Sequence, residues 1–487
     1  MPAADKKARA PKMNDILRKN LGWYQLYGNI IRGGRYVFTP PQGTIDPVSG
    51  EAVQTYLIEH EKEMAKEFQA RIRDSFELGY CREILTIFSS TLFRQEVDRG
   101  PIQETFGPDY VGDIDLQGHS AREFLRRGFG LAQQYGWMGC LTDYPRPSER
   151  YVSEYHEKKA GNRPFSRWIT PTRLWDWLRD PLTGDFVYAE ILIGADRWKR
   201  WYPTYWEIVD ESGERMDAGE HSFGRVPLDL LICQDIEADD GYAPFGRSAI
   251  SEASKIELHV YQMCSLLERH QRLALFAFLH IGQDPAAVSK EGKATAPDLH
   301  LGSSHYLWSE GDVGWVEPPN SVPEEARQHI DWCIREMRRA SGVATRSEES
   351  VEAHSGRALA WEYSGRHNAV YERAQNLEDF ESRLWRTHGE IQGKDVPPDL
   401  IRYPREYAVQ PVEQELDELE RITTLAERIP GAMESLLPLI RRKLARVAIR
   451  DIGHLPEIDE VLDGISGMGA LAEDETVALE SAENANE

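Results

Sequence analysis

Histidines, cysteines and clustered carboxylates are the residues of this chain with the widest chemical repertoire. His259 and His270 ride one amphipathic helical pattern, and His280, His300 and His305 fall in the β-rich stretch after it. No H-E-x-x-H run and no close-set Cys/His group occurs, so neither a metal site nor a cofactor is expected. The run DIEADD, Asp235 to Asp240, lacks the glycine-containing spacing of a calcium loop and reads as a solvated loop. Gly128, Gly130 and Gly136 lie inside a helical pattern, RRGFGLAQQYG. A dinucleotide-binding turn needs a preceding strand, so these glycines are expected to serve helix packing. There is no Walker A run and no G-x-S-x-G elbow; Gly246-Arg247-Ser248 reads as a helix start. The abundant Asp and Glu include no marked pair of the kind that hydrolyses glycosides. The Trp and Tyr of residues 137 to 210 are expected in strand cores rather than on a base-stacking or sugar-stacking surface. No catalytic residue is assigned, and the chain is not expected to be an enzyme.

Composition bounds the remaining classes. The chain has 487 residues, a formal charge of -24 and 41% hydrophobic residues. It is long enough for several domains with a real core. So acidic a chain lacks the Lys/Arg excess that ordinary nucleic-acid binding needs to neutralise phosphates. Five cysteines, Cys81, Cys140, Cys233, Cys264 and Cys333, show no C-x-x-C spacing and fit a reducing compartment. The basic N-terminus has no signal-peptide apolar core. The longest apolar run, Leu273 to Leu279, is too short to span a bilayer. A soluble intracellular product without a membrane segment is expected.

The elements that would position any site follow from periodicity. Residues 1 to about 55 are rich in Gly, Pro and basic residues and predict an arm with little structure of its own. Val53 to Glu96 turns helical, with Phe68, Ile72, Phe76 and Leu78 at helical offsets, and a second helix is expected over Ser120 to Tyr135. From Trp137 to Ile232 the pattern predicts an antiparallel meander with turns at DPLTGD and ESGE. The stripe Ala249, Ala253, Ile256, Val260, Met263 and Leu267 then predicts a long helix with Ser248 as its N-cap. Short strands around a polar loop follow, as a small β-rich insertion. A second helix carries Ala326, Ile330, Cys333 and Met337 on one face, Pro323 at its first position, and Gly342 as its terminator. Its Glu324 and Glu325, and its Arg338 and Arg339, suit the two ends of the helix dipole. After the polar loop VATRSEESVEAH comes a third helix, Ser355 to Trp385, with Ser364-Gly365 near its middle. Gly/Ser pairs are kink sites, and a bend within one turn of Gly365 is expected. An extended piece, helices from Val412 to about Ile449 and an acidic tail complete an α+β chain.

This order of parts resembles the portal proteins of tailed bacteriophages, best from Phe223 to Trp385. FGRVPLDLLI is similar to the strand that closes the family's wing. GRSAISEASKIELHVYQMCSLLERHQ resembles the descending stem helix, and LALFAFLHIG through GWVEPPN the clip. VPEEARQHIDWCIREMRRASGV resembles the ascending stem helix, ATRSEESVEAHSG occupies the place of the tunnel loop, and SGRALAWEYSGRHNAVYERAQNLEDFESRLW matches the kinked wing helix. The resemblance covers about a third of the chain well, is looser in the N-terminal wing, and is weak from residue 412 onward. It implies a portal-like α+β fold: N-terminal arm 1–55, first part of the wing 56–245, descending stem 246–272, clip 273–320, ascending stem 321–343, tunnel loop 344–354, second part of the wing with kinked helix and strand 355–411, helical crown 412–470, and acidic tail 471–487.

What the resemblance implies for function is a homo-oligomeric ring, commonly of about twelve subunits, at one capsid vertex. Double-stranded DNA passes through such a ring non-specifically during packaging and ejection. The implied partners are the major capsid protein, the large subunit of the terminase motor and a head–tail adaptor, and the implied location is the virion, after assembly in the host cytoplasm. The implied DNA-facing feature is the tunnel loop with Arg346, Ser347, Glu348, Glu349, Glu352 and His354; Arg346 would touch phosphate while the glutamates repel it. Lys6, Lys7, Arg9 and Lys12 would meet capsid protein, scaffold or DNA, or belong to a disordered tail with no fixed partner. An acid/base hydrolase with a helical accessory domain, or another virion connector or scaffold-like protein, stands as the alternative.

Overall fold

The computed structural model describes residues 9–61, 63–94, 96–145, 163–234, 246–274, 278–282, 307–309, 314–316, 321–343, 356–397, 401–404, 407 and 421; within these, the side chains of 273–274, 278–282, 307–309, 314–316, 321–322 and 356–367 lie outside the description. The chain divides into two units, Met1–Tyr407 and Ala408–Glu487. In the second only Arg421 is described, and it is helical. The expected crown and acidic tail therefore lie outside the described residues. In the first unit helices combine with mainly antiparallel sheets, an α+β architecture.

The N-terminal segment is not an unstructured arm. Helix α1, Asp15–Arg32, starts where the Asn14 side chain accepts from the Ile16 N–H, and it buries Leu17, Tyr24, Leu26, Tyr27 and Ile30. The Asn14 amide also donates to Asp176 at 2.9 Å, which pins the helix to a strand of the larger sheet. Gly and Pro in its flanks (GG at 33–34, PP at 40–41) dominate the composition and conceal a regular apolar spacing. A short turn of helix, α2 (Arg35–Phe38), follows. Helices α3 (Ala65–Asp74) and α4 (Tyr80–Leu92) realise the next expected helical run. Phe76 and Leu78 fall in the link between them and are exposed rather than on a buried stripe. Short helices α5 (Gly100–Phe106) and α6 (Pro108–Val111) lead to α7 (Ala121–Tyr135).

Helix α7 shows how local sequence sets both ends. Ser120 and Glu123 form a capping box, each side chain meeting the other residue's N–H. Gly136 ends the helix at φ 93°, a left-handed conformation that glycine adopts without strain. Gly128 faces the Trp168 ring so closely that a Cβ would overlap it, so the helix-packing reading of that glycine holds.

The strands form two separate sheets rather than a single meander. Strands β1 (Trp137–Asp143), β2 (Phe165–Ile169) and β8 (Leu228–Ile232) make one antiparallel sheet in the order β2-β1-β8. Strands β3 (Leu174–Arg179), β4 (Phe186–Gly194), β5 (Arg197–Trp201), β6 (Tyr205–Asp210) and β7 (Arg215–Glu220) make a five-stranded meander in chain order. Pairing of β1 with β8 joins segments that periodicity alone cannot connect. Trp137, Leu174, Ile191, Trp201, Trp206 and Leu228 belong to one buried cluster, so these aromatics are core residues. Across the larger sheet Glu190, Arg200 and Glu207 sit in register and are all buried, with Arg200 Nε to Glu190 Oε1 at 2.7 Å.

Helix α8 (Ala253–Ala274) begins five residues after Ser248, which is not its N-cap. The Ser248 hydroxyl donates to the Gln134 carbonyl at 2.7 Å and accepts from the Ile250 N–H, which fastens the approach to the end of α7. Strands β9 (Phe278–Gly282), β10 (Leu307–Ser309) and β11 (Gly314–Val316) form a small sheet in the order β10-β9-β11. Helix α9 (Ser321–Ala340) starts two residues before Pro323, which is therefore its third residue rather than its first. Its buried face carries Ile330, Cys333 and Met337. Helix α10 runs as one element from Gly356 to Gln392, 37 residues or about 55 Å.

The second half of α10 is the spine of the body. Val370, Ala374, Leu377, Phe380, Leu384 and Trp385 are each no more than 1% exposed. Trp168 stacks between Phe124 of α7 and Phe380 of α10, at ring-centroid distances of 4.8 and 5.4 Å. Arg99 forms a two-bond pair with Glu381, at 2.6 and 3.0 Å, and the Tyr403 hydroxyl donates to the same carboxylate at 2.6 Å. All three residues are buried. Removing one member of a buried pair strands the other charge, at a cost of about 3–5 kcal/mol. Glu381→Ala is accordingly expected to lower the free energy of unfolding in urea by about that amount, and Glu381→Gln by less, because it keeps hydrogen-bonding atoms. A loss of under about 0.5 kcal/mol, the size of an ordinary surface change, would contradict the burial of this pair.

Candidate functional site

Glu257, early in α8, accepts from the Cys81 N–H at 2.7 Å, and Arg338, late in α9, pairs with Glu83 at 3.2 Å. Both contacts fall on the first turn of α4, so α8 and α9 run antiparallel, with the small β9–β11 sheet inserted between them in sequence. Burial raises the Glu257 carboxyl above the usual carboxylate range. Farther along α8, Arg269 bridges Glu63 and Glu67 at 3.0 and 2.7 Å, and Arg272 meets Asp74 at 2.6 Å. Glu63 also holds Arg71, whose side chain is almost wholly buried. The pair of helices is thus tied to the body by ion pairs of α8 along the α3 side and, at α4, by the Glu257 hydrogen bond and the Arg338–Glu83 pair.

The ends around the polar loop are also set by local chemistry. Gly342 terminates α9 at φ 69°. The Val343 N–H reaches back to the Arg338 carbonyl, the six-to-one bond of a Schellman cap, and Val343 is buried beyond it. The chain therefore leaves α9 in a fixed direction. Arg346, Ser347, Glu348, Glu349, Glu352 and His354 lie outside the described residues, as does the DIEADD run. Ser364 and Gly365 lie within α10, whose backbone is helical through both.

Two clusters carry chemically capable groups that the sequence reading did not single out. In the first, Ser166 Oγ lies 2.7 Å from His388 Nε2, and His388 Nδ1 lies 2.5 Å from the Tyr110 hydroxyl. Tyr110 donates its one proton to the Pro164 carbonyl at 3.1 Å. By proton counting, His388 then donates from Nδ1 to Tyr110 and accepts from Ser166 at Nε2. A serine bonded to an imidazole has the pairing of an activated nucleophile. Here Ser166 and His388 are both 0% exposed, so no substrate surface reaches them, and the pair fastens α10 to β2. Burial, and after it the Arg163 guanidinium, push His388 down to about 3.

The second cluster corrects the expectation that no Cys/His group exists. His259 of α8 lies beside His329 of α9 with Nε2 atoms 3.1 Å apart, and Cys333 Sγ is 3.6 Å from His329 Nε2. The donor atoms of all three lie within 4.8 Å of one another. His329 and Cys333 are four apart on one helix, a signal present in the sequence. His259 is 70 residues away, and only the antiparallel packing brings it in.

No family model matches the sequence, and no curated protein matches it. The structure is similar to a chain in the neck of an empty GTA particle computed with C6 symmetry: TM-score 0.40, 13% identity, covering 74% of this chain and 89% of that one. It is also similar to a chain in the neck of a native GTA particle computed with C12 symmetry: TM-score 0.38, 12% identity, with the same coverage. Among the described residues no helix is long and apolar enough to cross a membrane.

His388 gives this region a pH signature. An imidazole held near 3 when folded, against about 6.5 when unfolded, binds fewer protons in the folded state between those values. Its contribution is complete above about pH 6.5 and is lost as pH falls, by up to about 1.4 kcal/mol per unit. The urea midpoint of the wild-type chain is expected to fall more steeply between about pH 6.5 and 4 than that of His388→Gln. Equal slopes would contradict a neutral buried His388.

Proposed function

We propose that this chain is the subunit of a portal ring, a channel through which double-stranded DNA enters and leaves a tailed-phage-like particle. The observation that carries this reading is one uninterrupted order. An antiparallel helix pair encloses a small sheet in sequence; a capped exit then leads into a polar loop and a very long helix, whose far half is locked in the body. In this reading α8 and α9 are the stem, the β9–β11 region is the clip, residues 344–354 are the tunnel loop, and α10 spans from channel to wing. The partners are further copies of the chain, about twelve in all as the family resemblance implies, together with major capsid protein, the large terminase subunit and a head–tail adaptor.

Physical chemistry supports the design. A ring needs a heterologous interface that closes on itself, and antiparallel helices set side by side supply repeated surfaces for one. DNA must slide rather than stick. A charge of -24 opposes tight phosphate binding, which rests on Lys and Arg. In the loop, Arg346 offers a passing phosphate contact while Glu348, Glu349 and Glu352 prevent a lasting one. The reading requires no catalytic group; the energy for packaging would come from a separate motor.

Gly365 has a defined part in this scheme. A bend there lets the first half of α10 turn towards the channel while the second half stays in its buried groove. A density map of the assembled particle is expected to show an axis bend of more than about 20° within one turn of Gly365; a straight helix removes this role from the glycine. The clip assignment is tested by deleting residues 274–318. The variant is expected to keep the thermal transition of the body and to lose motor docking and packaging. Packaging at the wild-type level would overturn the assignment.

A further inference from the structure

We propose that His259, His329 and Cys333 bind a divalent transition-metal ion of the zinc class, cross-linking α8 to α9 with one coordination position open to water. The reading rests on the spacing of the donor atoms and is independent of the portal assignment. A tetrahedral ion with metal–nitrogen bonds of about 2.0–2.1 Å and a metal–sulfur bond of about 2.3 Å has nitrogen–nitrogen edges of about 3.3 Å and nitrogen–sulfur edges of about 3.6 Å. The observed separations are 3.1 Å between the two imidazole Nε2 atoms and 3.6 Å from His329 Nε2 to Cys333 Sγ. Small rotamer changes bring the third edge, which lies within 4.8 Å, to the same length.

The arrangement suits such an ion in three further respects. His329 and Cys333 stand one turn apart on one helix face, so the backbone preorganises two ligands before the ion arrives. The Trp332 ring stacks on His329 at 5.7 Å and 23°, which limits the swing of that imidazole. Cys333 is buried and both histidines are exposed, so the sulfur forms the floor of the site, the imidazoles its rim, and the vacant position faces solvent. Two imidazoles and a thiolate select zinc, cobalt(II) or copper over magnesium or calcium, which prefer all-oxygen shells.

The test uses the full chain, freed of metal with a chelator and titrated with cobalt(II). One cobalt per chain is expected to bind with the visible bands of a tetrahedral centre and a thiolate-to-cobalt charge-transfer band, and zinc should displace it. Cys333→Ser is expected to abolish the charge-transfer band. His259→Ala and His329→Ala should each weaken binding by at least about tenfold, the loss that changes outside the ligand shell already produce. His259 is exposed, so the metal-free melting curve of His259→Ala should match wild type and separate lost binding from lost folding. A charge-transfer band that survives Cys333→Ser, the absence of such a band in the wild type, or equal affinity in wild type and His259→Ala would each overturn the proposal.

Discussion

The burial of one face of the second half of α10 is the constraint on which the body depends. Polar groups on a buried helix face need partners, because an unpaired one away from water costs about 1–3 kcal/mol. Every neighbouring element supplies part of the answer. Arg99 and Tyr403 meet Glu381, Ser166 and Tyr110 meet His388, and Asp229 accepts from Thr387 at 2.8 Å. Arg383 and Asn376 donate to backbone carbonyls of Leu230 and Cys233. The apolar face is filled by the stacked rings of Phe124, Trp168 and Phe380, with Gly128 leaving room for the middle ring. Partners drawn from residues 99 to 403 thus meet the inner face of one helix and fix its position and rotation.

That rigidity has a mechanical consequence. The same helix continues upstream to Gly356, next to the polar loop. On the other side of the loop, α9 ends in a cap with buried Val343. Residues 344–355 therefore join two helices that are each fixed to the body. At the opposite end of the helix pair, Arg269 and Arg272 of α8 hold Glu63, Glu67 and Asp74.

Some of this was legible in the sequence, and the reasons for the rest are specific. The stripes Ile330–Cys333–Met337 and Val370–Ala374–Leu377–Phe380–Leu384 are buried as their spacing implies, because each lies on one continuous helix where periodicity is a direct signal. Ser120 with Glu123, and Gly342, mark helix ends because capping is a local bargain among neighbours. Helix α1 was hidden by the glycines, prolines and basic residues around it, although Asn14 followed by Leu17, Tyr24, Tyr27 and Ile30 carries its signature. The division of the strands into two sheets depends on β8 returning to β1, a pairing that no local pattern encodes. Phe76 and Leu78 kept the right offsets but fall in a link, where periodicity has no meaning. The histidine–cysteine cluster and the Ser166–His388–Tyr110 network are tertiary: their members lie 70 and 278 residues apart along the longest hydrogen-bonded arms.

The most direct test of the central claim is the mass of the assembled particle in solution, measured by light scattering or native mass spectrometry on the full-length chain. A closed ring of about twelve copies is expected, each copy contributing 55.7 kDa. A chain that remains a stable monomer at high concentration would contradict the account.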